Sequence, residues 1–143
     1  MDKIRFMVVS GFLGAGKTTT MIALAEYMDR NIGKTAIIAN DLGANLVDTS
    51  LTQTSGCTVA EIGNDCICYQ MDNTVDQIRR LRDKEGATFV MSDIPGCGVG
   101  ALDHVYHTLH DDNADEFTLS PFMVMVDPER LRMIMPEHAD INL

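Results

Sequence analysis

The chain has 143 residues, with 11 Lys and Arg against 21 Asp and Glu, a net charge of −10 and 45% hydrophobic residues. One domain with a real core is expected at this length, and the composition excludes a disordered chain. The acidic balance argues against a nucleic-acid binder, which needs a basic face, and no segment approaches the ~18 apolar residues of a membrane span.

The opening MDKIRFMVVSGFLG is not a secretory signal, because its apolar stretch is short and broken. A cytoplasmic protein is expected. Its four cysteines, Cys57, Cys66, Cys68 and Cys97, then point to thiol or metal chemistry rather than disulfides.

Residues 4–10 contain the unbroken apolar run Phe6-Met7-Val8-Val9, expected of a strand covered on both faces. A helix is expected over residues 16–31, with Met21, Leu24, Ala25, Met28 and then Ile32 at helical spacing and Gly33 as its stop. Residues 35–40 read as a second buried strand. Residues 41–60 are polar and weakly periodic, and read as a long functional loop. A surface helix follows over residues 71–85, with Met71, Val75, Ile78 and Leu81 inward. A strand over 87–91, a helix over 101–110, a strand over 122–126 and a short helix over 128–135 complete the series, Pro128 sitting where helix starts favour it. Strands alternating with helices imply an α/β fold: three layers, a mainly parallel sheet with helices on both faces.

Gly11-Phe12-Leu13-Gly14-Ala15-Gly16-Lys17-Thr18 fits G-x-x-x-x-G-K-[ST] in full, between a buried strand and an amphipathic helix. This is the P-loop NTPase arrangement. Glycines let backbone N–H groups turn toward a phosphate chain, and the helix start adds partial positive charge. Lys17 would neutralise the β- and γ-phosphates, and Thr18 would offer a hydroxyl to Mg²⁺. Phe12 and Leu13 stand where some dimerising ATPases place a second lysine, so none is available to reach a partner's site.

Three strands end in an aspartate: Asp41, Asp93 and Asp127. In an open parallel sheet, ligands sit beyond those carboxyl ends. Asp93 opens Asp93-Ile94-Pro95-Gly96, the D-x-x-G pattern of nucleoside triphosphatases, in which the carboxylate holds Mg²⁺ and the Gly96 N–H reports on the γ-phosphate. Asp41 would hold Mg²⁺ or orient water. Asp127 is the weakest candidate, since Asp is common where strands stop. Cys97 stands where many regulatory GTPases put a water-orienting Gln. Slow intrinsic hydrolysis is therefore expected, relying on a partner, a homodimer or another acid.

Glu61-Ile62-Gly63-Asn64-Asp65-Cys66-Ile67-Cys68 places two thiols at C-x-C spacing, within reach of one soft ion such as Zn²⁺. The ordered set GFLGAGKTT, Asn40-Asp41-Leu42-Gly43, EIGNDCIC and D-x-x-G resembles the CobW/HypB/UreG family of metallochaperone-type GTPases, closest to its CobW branch. The resemblance covers roughly residues 1–130. It implies a Mg²⁺-dependent GTPase that couples hydrolysis to metal or corrinoid handling, with a client metalloenzyme or corrinoid protein as partner. Carried over by position, Gly14, Ala15, Gly16, Lys17, Thr18 and Thr19 bind phosphates and Mg²⁺. Asp41 and Asp93 stand for the acids at the nucleotide, and Cys66 and Cys68 for two metal-binding thiols. The family's C-x-C-C is incomplete here: its third cysteine is Tyr69 and its preceding Gly is Asp65. Either Cys97, Cys57 or Asp65 completes the ligand set, or metal binding has changed.

His104, His107 and His110 fall three apart on one expected helix and spread too far around it to converge on one ion, so they read as an exposed face. Arg79-Arg80-Leu81-Arg82 reads as a solvated face balanced by acids. No N-K-x-D segment for guanine recognition occurs, so GTP is inferred from the resemblance alone. An ATP-dependent P-loop enzyme, or a nucleotide-dependent protein-binding module with little hydrolysis, are the alternatives. With four strands visible and the base-recognition segment missing, residues 1–143 are expected to form a nucleotide-binding domain truncated before its last strands.

Overall fold

The computed structural model describes residues 3–40, 57–63, 66–94 and 100–135. Among them run β1 (Ile4–Gly11), α1 (Lys17–Asn31), β2 (Thr35–Ala39), β3 (Thr58–Glu61), α2 (Met71–Glu85), β4 (Phe89–Asp93), β5 (Phe117–Leu119), β6 (Met123–Met125) and α4 (Pro128–Ile134). Between β4 and β5 lies α3, which winds in wide π-type turns over Ala101–Tyr106 and Thr108–Asp112. Its buried residues Ala101, Val105 and Leu109 recur every fourth position.

All strand pairs are parallel, in the order β3-β2-β4-β1-β5, with β6 also on β1. The four expected strands are present, and β4 lies two residues later than its apolar run suggested. β3 and β5 were not expected. β3 falls in the last residues of the polar 41–60 stretch, and β5 is only three residues long.

β5 and β6 are two halves of one edge. Phe6 pairs with Leu119 and Val9 with Met123, so the edge carries one residue more than β1 across the same span. This is a bulge, and it falls at Pro121, which has no N–H to give a ladder. The Tyr106 hydroxyl repairs the gap: it accepts from the Val8 N–H at 3.3 Å and donates to the Ser120 carbonyl at 3.0 Å. Burial pushes its pKa up.

Alternation along β1 divides the core into two layers. Ile4, Phe6 and Val8 face α2 and α3, together with Ala36, Ile38, Ile78 and Val105. Met7 and Val9 face α1, with Met21, Ala25, Met28, Ile37 and Met91. Helices therefore cover both faces of the sheet, as the unbroken apolar strands require. Among the described residues, no helix is long and apolar enough to cross a membrane.

The arginine cluster of α2 is more than a solvated face. Arg79 grips Glu116 through Nη2 at 2.6 Å and Nε at 3.2 Å, and Arg82 Nη1 adds a third bond at 3.0 Å. Arg79 first, then Arg82, hold the Glu116 carboxyl at about 2, against an ordinary 4.5. A depressed carboxylate stabilises the fold above its unfolded pKa and loses that contribution as pH falls through the folded one. The loss therefore falls between pH 4.5 and about 2. Both side chains are a third or more exposed (33% and 37%), so solvent screening leaves about 1 kcal/mol. Denaturation of Glu116→Gln beside the parent chain should show a stability gap at pH 6 that closes across that window. A gap independent of pH would sink the clamp.

Candidate nucleotide and metal site

β1 ends at Gly11 and α1 begins at Lys17, so the glycine-rich loop leaves the carboxyl edge of a central strand and enters a helix. Gly11 has φ +141°, and a Cβ there would strike the Met125 carbonyl and Cβ. Gly14 (φ +79°) and Gly16 (φ +88°) hold left-handed conformations that other residues adopt at a cost. Gly16 caps α1 without a side-chain acceptor, and no acid occupies the first turn. The sequence expectation of a helix from residue 16 is thus corrected by one residue: Gly16 is the cap. The amides of Lys17, Thr18 and Thr19 open the helix, where an anion is favoured.

Lys17 Nζ donates to the Gly11 carbonyl at 2.7 Å and the Phe12 carbonyl at 3.2 Å. The ammonium is thereby curled over the start of the loop. From the far end of the chain, Arg130 Nη1 donates to the Leu13 carbonyl at 2.7 Å. Arg130 itself is set by α4, whose N-cap is Asp127: the Asp127 carboxylate accepts from the Glu129 and Arg130 N–H groups. Asp127 therefore has a structural task.

Asp93 is the last residue of β4 and pairs in register with Val9, two residues before Gly11. It stands at the same sheet edge as the loop. Its Oδ1 accepts from the Asn40 N–H at 2.9 Å. The buried Asn40 side chain then continues inward, with Nδ2 donating to the Ile62 carbonyl at 3.3 Å and Oδ1 accepting from the Ile67 N–H at 3.0 Å. Ile67 is the middle residue of Cys66-Ile67-Cys68, at the start of a tight 3₁₀ turn over Ile67–Tyr69. One chain of hydrogen bonds thus joins the acid at the β4 end to the cysteine pair.

The two sulfurs lie 2.6 Å apart and form no disulfide. Two thiolates on one tetrahedral Zn²⁺ sit roughly 3.8 Å apart, a separation that side chains two residues apart can adopt. The pair fits as two ligands of a soft ion. Tyr69 is 78% exposed, and its phenol is no substitute for a thiolate. Among the described residues, no group of three or more His, Cys, Asp or Glu side chains already converges to hold an ion. Asp41, Gly96 and the suggested supplementary ligands Asp65 and Cys97 lie outside the described residues. The structure thus gathers the loop and Asp93 at one edge and links them to Cys66 and Cys68. Sequence reasoning missed Asn40 and Arg130. Asn40 stood inside the quoted Asn40-Asp41-Leu42-Gly43 motif, while Arg130 carried no local signal.

Residues 5–141 match the family described as CobW/HypB/UreG, nucleotide-binding domain. Zinc chaperone YeiR of Escherichia coli (strain K12) is 38% identical over 64 residues, 45% of this chain and 19% of that protein. Zinc-regulated GTPase metalloprotein activator 1 of Schizosaccharomyces pombe is 23% identical over 151 aligned positions, 99% of this chain and 36% of that protein. The chain thus spans between a fifth and about a third of the length of these relatives. Among solved structures, HypB from Helicobacter pylori in complex with nickel superposes with a TM-score of 0.52 at 13% identity, covering 92% of this chain and 84% of that one. That likeness identifies the α/β P-loop NTPase-type fold.

Proposed function

The chain belongs to the CobW/HypB/UreG family, in its nucleotide-binding domain, and from that premise we propose that it binds and slowly hydrolyses GTP with Mg²⁺, coupling nucleotide state to delivery of a transition metal to a client metalloenzyme. The observation that carries the reading is the hydrogen-bond chain from Asp93 through Asn40 to Ile67.

Each residue has a task in this reading. The amides of Gly14, Ala15, Gly16, Lys17, Thr18 and Thr19 cradle the phosphates. Lys17 exchanges its two carbonyl partners for phosphate oxygens and stabilises charge on the transferring group. Thr18 and Asp93 would hold Mg²⁺, which would supply charge neutralisation at the phosphates. By position in the motifs, Asp41 would orient water and Gly96 would report on the γ-phosphate, though both lie outside the described residues. Because Asp93 also fixes the Asn40 backbone, a change at the nucleotide alters the frame on which Ile67 hangs. The cargo ion on Cys66 and Cys68 then feels the nucleotide state.

The test is metal affinity with a non-hydrolysable GTP analogue against GDP. Coupling of the usual size predicts a roughly 5- to 150-fold difference. Equal affinities would defeat the reading. Competition of GTP against ATP, in the same calorimetric cell, assigns the base.

A further inference from the structure

We propose that His104 is the third ligand of the cargo metal at Cys66 and Cys68, filling the role that Tyr69 cannot. This rests on the reading of the two cysteines as metal ligands. Gly100 supplies the geometry. A Cβ built there would lie 3.1 Å from the Cys68 Cβ, 3.2 Å from the Cys68 sulfur and 3.2 Å from the His104 Cδ2. The sulfur and the imidazole carbon each stand 3.2 Å from the same point, so they are no more than twice that distance apart. Cδ2 is bonded to Nε2, a usual metal-binding nitrogen. Glycine at position 100 lets Cys68 and His104 come this close to one backbone, and a Cβ there would crowd both.

The three histidines of α3 differ in their partners. His107 Nδ1 lies 4.0 Å from Asp103 and His110 Nδ1 lies 2.7 Å from Asp111. His104 faces the cysteine turn instead: its ring centroid lies 6.1 Å from that of Tyr69, tilted at 38°. It is an exposed side chain able to change rotamer. Binding requires two local movements, the parting of the two sulfurs and a swing of the imidazole toward Cys68. The first turn of α3 already lies against Cys68 at Gly100. Two thiolates and a neutral imidazole make a neutral complex with a divalent ion and leave one tetrahedral position open. An open position suits a site that must pass its cargo on.

The experiment is titration of the full chain with Co²⁺, read by absorption, followed by Zn²⁺ competition. The parent chain should show near-ultraviolet sulfur-to-cobalt charge transfer and visible bands of four-coordinate cobalt. His104→Ala should keep the sulfur band, weaken both metals by at least the roughly 10-fold that even an outer-shell change costs, and alter the visible bands. His107→Ala should match the parent. His104→Cys should restore affinity and raise the sulfur band by about half, as two thiolates become three. If His104→Ala leaves affinity and visible bands unchanged while the sulfur band is present, His104 is not a ligand. If the parent chain shows no sulfur band, the cysteine reading fails, and this proposal with it. Circular dichroism of each variant confirms that the fold is retained.

Discussion

Lys17→Ala should lower nucleotide affinity and multiple-turnover phosphate release by about 10²–10³-fold, the size seen when one preorganised donor is taken from developing charge. The lysine ammonium is the point charge of the loop, held 2.7 Å from the Gly11 carbonyl and 3.2 Å from that of Phe12. The other loop contributions are backbone dipoles, which survive the substitution. Fold stability should barely move. Lys17 is the first residue of α1, Ala is the best helix former, and the two carbonyls it releases lie at an open, part-exposed loop. Lys17→Arg should rescue poorly, since a planar fork does not replace a compact ammonium. Nucleotide affinity by calorimetry, phosphate release and a thermal melt decide the matter together. Hydrolysis within a few-fold of the parent, at unchanged stability, would show that Lys17 does not carry the site.

Asn40→Ala should be strongly damaging although it touches neither the phosphate loop nor a cysteine. Asn40 is 5% exposed, and its amide satisfies the Ile62 carbonyl and the Ile67 N–H at once. Truncation strands both groups in the interior, at ~1–3 kcal/mol each. A loss of about 2–6 kcal/mol is a large share of the roughly 5–15 kcal/mol that holds a domain. At roughly 2–4 °C per kcal/mol for a chain of this size, melting should fall by about 4–24 °C. A second effect separates Asn40 from an ordinary core residue. Metal affinity in the surviving folded fraction should no longer depend on which nucleotide is bound, because the route from Asp93 to Ile67 is cut. A melt within about 2 °C of the parent would remove Asn40 from that role.

Legibility in the sequence followed the range of the forces involved. The central strands were readable because burial on both faces leaves an unbroken apolar run, as in Phe6-Met7-Val8-Val9. The phosphate loop was readable because its requirements are local: glycines at positive φ and a lysine at the helix start. β3 and β5 were not readable. β3 is a four-residue edge strand, half-exposed and preceded by a polar stretch, and β5 is half of an edge broken at Pro121. Neither carries enough residues to set up a period. The π-type winding of α3 was invisible too, since Ala101, Val105 and Leu109 suit an ordinary helix as well. The cysteine pair and Asp93 were found as separate motifs. Their connection through Asn40 spans 53 residues on one side and 27 on the other, and no window along the chain contains it. The same holds for His104. The spacing of His104, His107 and His110 fits the exposed face that all three occupy, but it says nothing of the approach of His104 to Cys68, which lies 36 residues away in the chain.

The order of strands in the sheet has a consequence for synthesis. β1 precedes the other strands of this sheet in the chain, yet its neighbours are β4, β5 and β6. Phe6 must wait for Val90 on one side and Leu119 on the other. At the ~5–20 residues per second of a ribosome, the first of these arrives roughly 4–17 s after β1. During that interval β1 has no strand partner, while α1, β2, β3 and α2 emerge before β4. The −10 charge is spread over the chain that follows rather than over β1 itself. The nascent chain therefore passes through a stage in which α1 and α2 are the native cover for the two faces of β1, before β4 arrives to pair with it.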